Sequence, residues 1–219
     1  MKNYIDSLSH TSLFLGIAKD RIEGLLNCIQ ARVVKFSKDE FIIEEGSLVY
    51  DFGVMLSGRG RAVKWDANGR LIIITLLKEG SEIGVILAAG SEHKSSVWVQ
   101  VTQDAEVLTI SFDSVVNRCG NACPEHEKLL RNYISIVAQK GLVLHERIDC
   151  LLKPTVRDKV LNYLTRVAAE RQSRTFQIPM NRNEMAEYLN VERSALSREL
   201  SNMKRAGLID YHRNGFKLL

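Results

Sequence analysis

The chain has 219 residues, of which 45% are hydrophobic, 26% are charged and only three are proline, a composition that excludes disordered, collagen-like and disulfide-dependent miniature proteins. No apolar run approaches the roughly 20 residues that span a bilayer. The first residues also lack the basic and then apolar layout of a signal peptide. We therefore expect a cytoplasmic globular protein of one large or two modest domains.

The charges are unevenly distributed along the chain. The total of 30 basic and 26 acidic residues gives a formal net charge of +4. Residues 151–219 hold 13 basic and 7 acidic residues (net +6), and residues 1–150 hold the other 17 and 19 (net −2). A positive excess confined to the last third is typical of nucleic-acid binding, although a solvated basic face has the same composition.

The segment 31–110 has the pattern of an all-β domain, in which apolar and β-branched runs alternate with turn residues. Asn68-Gly69 predicts a two-residue hairpin, because both central positions of such a turn need positive φ. Many strands at regular spacing predict a sandwich or barrel. The predicted strands are Val33-Val34, Phe41–Ile43, Gly53–Leu56, Arg61–Trp65, Leu71–Leu77, Val97–Val101 and Val107–Ile110, with Ser57-Gly58 and Gln103-Asp104 among the predicted turns.

A long helix is predicted from Pro124, a residue suited to a first helical turn. Its apolar residues alternate in steps of four and three, which is the spacing of a coiled-coil seam of the parallel-dimer type. The seam consists of Leu130, Ile134, Val137, Gly141, Leu144, Ile148 and Leu151. A second stripe, Leu129, Ile136, Val143 and Cys150, lies beside it. The two stripes predict one face on a partner helix and one on the helix's own β domain; the alternative is a core helix with a broad apolar face.

The last third predicts helices, a short strand and a closing hairpin. Lys153-Pro154 opens a helix that continues to about Glu170, and Phe176–Ile178 is a short strand. Asn181 and Glu184 form a capping-box pattern before a helix that ends at Asn190. A second helix follows from about Glu192 to Arg205, and Leu208–His212 and Phe216–Leu219 flank a turn at Asn214-Gly215. Two closely spaced helices and a hairpin predict a winged helix-turn-helix.

The second of these two helices has the composition of a DNA-recognition helix. One face is apolar, and the other carries Arg193, Ser194, Ser197, Arg198 and Ser201. Small hydroxyl residues let a helix enter the major groove, and Arg can donate two hydrogen bonds to guanine. Lys204, Arg205 and Arg213 are predicted to contact phosphates. The alternative is a solvated amphipathic helix with internal ion pairs.

These motifs together resemble the Crp/Fnr family of bacterial transcription regulators over essentially the full chain. The resemblance rests on the hairpin Leu56–Val63, the turn Gly80–Gly84 and the stretch Asn181–Leu200. It implies an α+β protein with an N-terminal β-roll (a double-stranded β-helix like that of cyclic-nucleotide-binding domains), a long dimerisation helix and a C-terminal winged helix-turn-helix. The corresponding domains are 1–123, 124–152 and 153–219.

The resemblance also implies roles for individual residues and for partners. Asn181 and Asn183 fall where the family's first helix contacts phosphates, and Arg193, Ser194, Ser197 and Arg198 fall at its base-reading positions. The expected partners are a double-stranded DNA operator, a second copy of the chain, RNA polymerase and a small-molecule effector.

The ligand of the β-roll is not indicated by the resemblance. Where the cyclic-nucleotide branch has a Glu and an Arg to hold its ligand, this chain has Gly84-Val85-Ile86 and Ser95-Ser96, so cyclic AMP is not expected. A less polar effector could bind near Ile83, Gly84, Val85, Ser95, Ser96, Trp98 and Tyr133, although these residues could equally fill the roll.

Cysteine and histidine spacing predicts no metal or other cofactor. Cys28, Cys119, Cys123 and Cys150 do not form the N-terminal cluster of the iron–sulfur branch, and Cys119-x3-Cys123-x2-His126 offers only three ligands. His10, His93, His126 and His145 lack the spacing that would indicate haem.

We predict a homodimeric, sequence-specific DNA-binding regulator gated by a small-molecule or redox signal. The alternatives are a constitutive DNA-binding regulator without ligand and a cupin-like metal enzyme. His93 is the lone histidine of the roll and no nucleophile or phosphate-binding motif appears, so no enzyme is predicted.

Overall fold

The computed structural model describes residues 4–65, 69, 71–117 and 123–219. The chain divides into two compact units, Met1–Lys140 and Gly141–Leu219, and the division falls within a long helix. The domain boundaries predicted after residues 123 and 152 follow the ends of that helix and stay a prediction.

The N-terminal unit begins with short helices that the sequence patterns did not reveal. They are α1 (Ile5–Ser9), a 3-10 helix (Ser12–Phe14) and α2 (Lys19–Cys28). Their apolar side chains, among them Leu8, Phe14 and Ile22, are fully buried in the main core of this unit. These helices are therefore an integral part of the core of the N-terminal unit.

Antiparallel strands form the β-roll of this unit. They are β1 (Arg32–Phe36), β2 (Phe41–Ile43), β3 (Asp51–Trp65), β4 (Leu71–Leu77), β5 (Glu82–Ile83) and β6 (Trp98–Ser111), with helix α3 (Val85–Ala89) after β5. The strand β6 pairs with β1, β2 and β3, and β3 also pairs with β4 and β5. The all-β pattern and the predicted β-roll are confirmed.

Two of the predicted turns are wrong, because β3 and β6 each run through them. The register between β3 and β6 shifts around Ser57 and Arg59, opposite Gln103 and Glu106. A Cβ on Gly58, whose φ is +86°, would lie 2.3 Å from the carbonyl oxygen of Asp104. Gly58 therefore marks a β-bulge at which two backbones approach closely.

The hairpin predicted at Asn68-Gly69 joins β3 and β4, which pair antiparallel with Trp65 opposite Leu71. Residues 66–68 and 70 lie outside the described residues, so the length of the predicted turn is not tested. Gly69 has the positive φ, +74°, that the pattern predicted, and Asn68 lies outside the described residues.

The unit ends with α4 (Phe112–Val116) and with the first part of α5 (Pro124–Leu151), the predicted long helix. The Tyr133 hydroxyl donates a hydrogen bond to the Val85 carbonyl at 2.5 Å, and its ring packs on Phe52 and Phe112. These contacts fix this part of α5 against the roll.

The C-terminal unit has the predicted winged-helix order. Its elements after α5 are α6 (Val156–Arg171), β7 (Thr175–Gln177), α7 (Arg182–Leu189), α8 (Arg193–Arg205), β8 (Ile209–His212) and β9 (Gly215–Leu218). The strands form one sheet in the order β7-β9-β8. The closing turn differs from the prediction by one residue, because His212 pairs with Gly215 and the loop is therefore Arg213-Asn214. None of the helices in the described parts of the chain is both long and apolar enough to cross a membrane.

Candidate nucleic-acid interface and sensor site

The start of α7 is fixed by the capping box that the sequence predicted. The side-chain oxygen of Asn181 accepts hydrogen bonds from the backbone N–H groups of Asn183 (2.9 Å) and Glu184 (3.1 Å). The Glu184 carboxylate accepts in turn from the Asn181 N–H at 2.7 Å. The Asn181 oxygen is thus committed to the cap, and only its amide nitrogen could donate to a phosphate. Asn183 is exposed beside it.

The turn between α7 and α8 brings the two helices together at a short connection. Asn190 adopts the left-handed conformation at φ 49°, as its type favours, and ends α7. Leu196, Leu200 and Met203 of α8 are completely buried in the core that α6 and α7 share with it. The opposite side of α8 is therefore the side turned to solvent.

The solvent face of α8 carries the predicted base-reading residues. Arg193, Ser194, Ser197, Arg198 and Ser201 are all exposed. Within the described chain, neither Arg193 nor Arg198 forms an ion pair with a carboxylate. Two guanidinium groups flanked by small hydroxyl side chains leave this face both cationic and sterically open, as insertion into a major groove requires.

Two of the predicted DNA contacts, Ser201 and Lys204, also have interactions within the protein. The Ser201 hydroxyl donates to the Ser197 carbonyl at 3.0 Å. Lys204 forms a 2.6 Å ion pair with Asp210 of β8, and this pairing raises the pKa of Lys204 and lowers that of Asp210. The positive charge of Lys204 is therefore partly neutralised by β8, which weakens it as a phosphate contact.

Arg182 is a residue of this surface that the sequence did not single out. Its guanidinium lies over the rings of Tyr211 and Phe216, at 5.2 and 5.6 Å, and donates to the Arg213 carbonyl at 3.1 Å. Burial lowers the pKa of Arg182. It ties the start of α7 to the β8–β9 hairpin and so positions Arg213, the exposed residue at its tip. No sequence signal marks it, because its partners lie about 30 residues further along the chain.

The side of α5 with the predicted seam is largely exposed in the single chain. Ile134, Leu144 and Ile148 are 59%, 48% and 54% exposed, and, among the described residues, a Cβ on Gly141 would meet nothing within 4 Å beyond the adjoining helix backbone. The other seam residues, Leu130, Val137 and Leu151, are half-buried. Exposed aliphatic side chains repeating along a helix are typical of a surface that a partner helix covers.

The second stripe of α5 has two different surroundings. Leu129 and Ile136 are buried in the core of the N-terminal unit, as predicted for a face on the helix's own β domain. Cys150 is instead buried in the core of the C-terminal unit, and Val143 is exposed. The prediction is therefore wrong for these two residues, because Cys150 packs in the core of the C-terminal unit and Val143 is exposed.

The structure places the predicted effector residues in different surroundings. Val85 and Tyr133 are joined by their hydrogen bond within the core, and Ile83 and Gly84 precede them. The Ser95 hydroxyl bonds to the Val97 carbonyl at 2.8 Å, and the Trp98 indole donates to Glu45 at 3.1 Å. Ser96 is exposed between them.

An open groove of about 640 Å³ lies elsewhere on the roll, and of the predicted effector residues only Ile83 lines it. Its rim includes Arg32 and Asp51, whose side chains form a 2.8 Å ion pair. Its floor is largely apolar, with Phe52, Val107 and Ile43 among the lining residues.

The cysteines and histidines have dissimilar environments. Cys119 lies outside the described residues, so its predicted spacing to Cys123 and His126 is not tested. His145 is exposed near Asp149, and the His93 ring packs on Tyr50 at 4.5 Å. His10 ends α1. The structure brings Cys28 next to Cys123 and His126, a proximity that the sequence did not predict because 95 residues separate Cys28 from Cys123.

Two family models match the chain, a cyclic nucleotide-binding domain over residues 33–120 and a Crp-like helix-turn-helix domain over residues 158–219. The nitrogen fixation regulation protein FixK of Bradyrhizobium diazoefficiens is 24% identical over 193 residues, which cover 86% of this chain and 78% of FixK. Two solved structures share the fold, each with a TM-score of 0.64. The c-di-GMP responsive global regulator CLP of Xanthomonas campestris is 15% identical over 92% of this chain and 99% of CLP. A CooA mutant of Carboxydothermus hydrogenoformans is 17% identical over 89% and 85% of the two chains.

Proposed function

Because the chain belongs to the Crp/Fnr family of DNA-binding transcription regulators, we propose that it binds a two-fold symmetric operator as a homodimer and is gated by a signal received in the β-roll unit. Acting on DNA, it would work in the bacterial cytoplasm and with RNA polymerase. The relatives are transcription regulators, and no catalytic role is proposed.

The observation that carries this proposal is the exposed face of α8. Arg193 and Arg198 lie on this face and form no ion pair with a carboxylate in the described chain. The neighbouring serine side chains are small and leave room for the edges of bases. Each copy of α8 would enter one major groove, and the two half-sites would lie one helical turn, about 34 Å, apart. The net charge of +6 on residues 151–219 supplies attraction to phosphates that is independent of sequence.

Dimerisation is supported by the aliphatic side chains on α5. A second copy would cover Ile134, Leu144 and Ile148, which are about half exposed in the single chain. The arrangement of the two α5 helices would set the spacing of the recognition helices, so that a signal favouring one arrangement changes operator affinity.

We propose that this signal is not a cyclic nucleotide. At the positions where the family holds that ligand, the chain has Val85, which is buried and bonded to Tyr133, and Ser95, which is bonded within its own loop. Neither position offers a charged group for a ribose or a cyclic phosphate. Calorimetric titration with cyclic AMP should show no binding, and saturable binding would contradict this part of the proposal.

Selection of bound DNA from a random pool, with and without a cell extract, would identify the operator and test for a signal. Dependence on the extract would support gating, and identical selection would favour the constitutive alternative. On the selected operator, Arg198→Ala should weaken binding by the equivalent of about 1–3 kcal/mol, the discrimination expected of a good bidentate contact to guanine.

A matched control separates base reading from charge. Arg171→Ala removes the same charge from an exposed position at the end of α6. Only Arg198→Ala should lower the ratio of operator to random affinity, and Arg171→Ala should leave that ratio unchanged. If both variants leave that ratio unchanged, Arg198 does not read a base.

A further inference from the structure

Three potential metal ligands meet where α2 ends and α5 begins. Cys28 is the last residue of α2, Cys123 directly precedes Pro124, and His126 lies in the first turn of α5. One ligand atom from each of the three lies within 4.8 Å of the others. Cys28 and Cys123 are not joined in a disulfide, and the side chains range from exposed Cys28 to buried His126.

The histidine of this cluster is held in a specific orientation. His126 is 6% exposed, and its Nε2 lies 2.9 Å from the carbonyl oxygen of Val115 on α4. A carbonyl can only accept, so Nε2 must carry the proton and Nδ1 must carry a lone pair in the neutral ring. Nδ1 is buried, and no group in the described parts of the chain donates a hydrogen bond to it. An orphaned, buried acceptor next to two thiols requires a partner.

We propose that Cys28, Cys123 and His126 bind one thiophilic divalent metal ion of the zinc class, with a fourth position open to solvent or an external ligand. Two sulfurs and one imidazole nitrogen are ligands that tetrahedral Zn²⁺ prefers. A backbone carbonyl that accepts from the other ring nitrogen is the usual support of a metal-binding histidine, and Val115 supplies it here.

The dimensions of the cluster fit this ion. Zinc bonds of about 2.3 Å to sulfur and about 2.0 Å to nitrogen place neighbouring tetrahedral ligands roughly 3.5–3.8 Å apart. The three ligand atoms, within 4.8 Å of one another, need to approach by at most about 1.3 Å. Cys28 is exposed, Cys123 is half-buried and His126 is buried, so an ion would enter from the side of Cys28.

Cys123 directly precedes Pro124, the first residue of α5, and a cysteine binds a metal as its thiolate. Each bound thiol gives up its proton, so binding releases up to two protons and weakens as the pH falls. A bound ion would tie the end of α2 to the first turn of α5. This inference does not depend on DNA binding, so the two proposals can fail separately.

The test uses the full chain, stripped of metal with a chelator under reducing conditions and titrated with Co²⁺. We expect one ion per chain, with a thiolate-to-cobalt charge-transfer band and the visible bands of tetrahedral Co²⁺, both abolished by added Zn²⁺. Binding should also raise the melting temperature.

Variants identify the ligands. Cys28→Ser, at an exposed position that leaves the fold intact, should weaken metal binding by at least about 100-fold, since loss of a supporting residue alone costs 10- to 100-fold. Cys123→Ser should do the same. Cys150→Ser is the matched control, because Cys150 is buried in the other unit and bonds to the Lys159 carbonyl. Three outcomes would overturn the proposal: no charge-transfer band, equal affinity in Cys28→Ser, or a Cys28–Cys123 disulfide that persists in reductant.

Discussion

Ile148 provides a quantitative test of the dimer seam on α5. Its side chain is 54% exposed in the single chain, and a partner helix would cover that part. Complete burial of an isoleucine side chain contributes about 1.5–3 kcal/mol, so the remaining half is worth about 0.8–1.6 kcal/mol per copy. A symmetric interface contains the residue twice. Ile148→Ala should therefore weaken the dimer by about 1.6–3.2 kcal/mol, a rise of about 15- to 200-fold in its Kd.

Sedimentation equilibrium over a concentration series measures this Kd directly. The control is Leu142→Ala, because Leu142 is exposed to a similar extent, 58%, on the same helix but lies outside the seam. It should leave the Kd unchanged, and operator binding should weaken only for Ile148→Ala. Equal effects of the two substitutions would refute the assignment of the seam and would favour a dimer built on another surface.

Three further substitutions, at two residues, test interactions within a unit. Tyr133→Phe removes a buried hydrogen bond to Val85 and should lower the free energy of unfolding in urea by about 1–3 kcal/mol. Burial also raises the pKa of Tyr133 to about 12, above the value near 10 in the unfolded chain. The free energy of unfolding is therefore constant below pH 10 with respect to this group and falls as the pH rises from 10 to 12. Tyr133→Phe should make this fall shallower, and an identical pH dependence in the variant would show that Tyr133 does not cause it. Asn181→Ala should lower the free energy of unfolding by about 1 kcal/mol, because it removes the cap of α7. Asn181→Asp should keep the cap and its stability but weaken operator binding, because the added negative charge repels phosphate. Thermal melts measure the first effect and gel shifts the second.

The DNA-binding unit was predictable because its signals are local. The Asn181 cap, the left-handed Asn190 and the buried stripe of Leu196, Leu200 and Met203 all act over a few residues of chain. All three features predict the same two helices and the same turn between them, and the structure contains all of them. Short-range agreement of this kind specifies an element before any tertiary contact forms.

The sensor unit was less predictable because its details depend on distant contacts. Ser57-Gly58 has the composition of a turn, and only the neighbouring backbone of Asp104 and Ala105 shows that the residues form a bulge within a continuous strand. The short helices before β1 are stabilised by burial in the core rather than by periodicity. The same limit applies to Cys28 and Arg182, whose partners are far away in sequence.

We expect Gly141→Ala to raise the stability of the single chain and to weaken the dimer. In the part of the chain that the structure describes, a Cβ at this position meets nothing within 4 Å beyond the adjoining helix backbone, and alanine is more favourable than glycine inside a helix by about 0.8–1 kcal/mol. Within one chain, Gly141→Ala should therefore only raise stability. If Gly141 is the point at which the two α5 helices approach most closely, the added methyl groups collide across the two-fold axis and the dimer Kd rises. Thermal melts of the dissociated protein and sedimentation of the dimer measure the two effects separately. A more stable chain with an unchanged dimer Kd would show that the helices are separated at Gly141, because a close approach cannot accommodate two new methyl groups without cost.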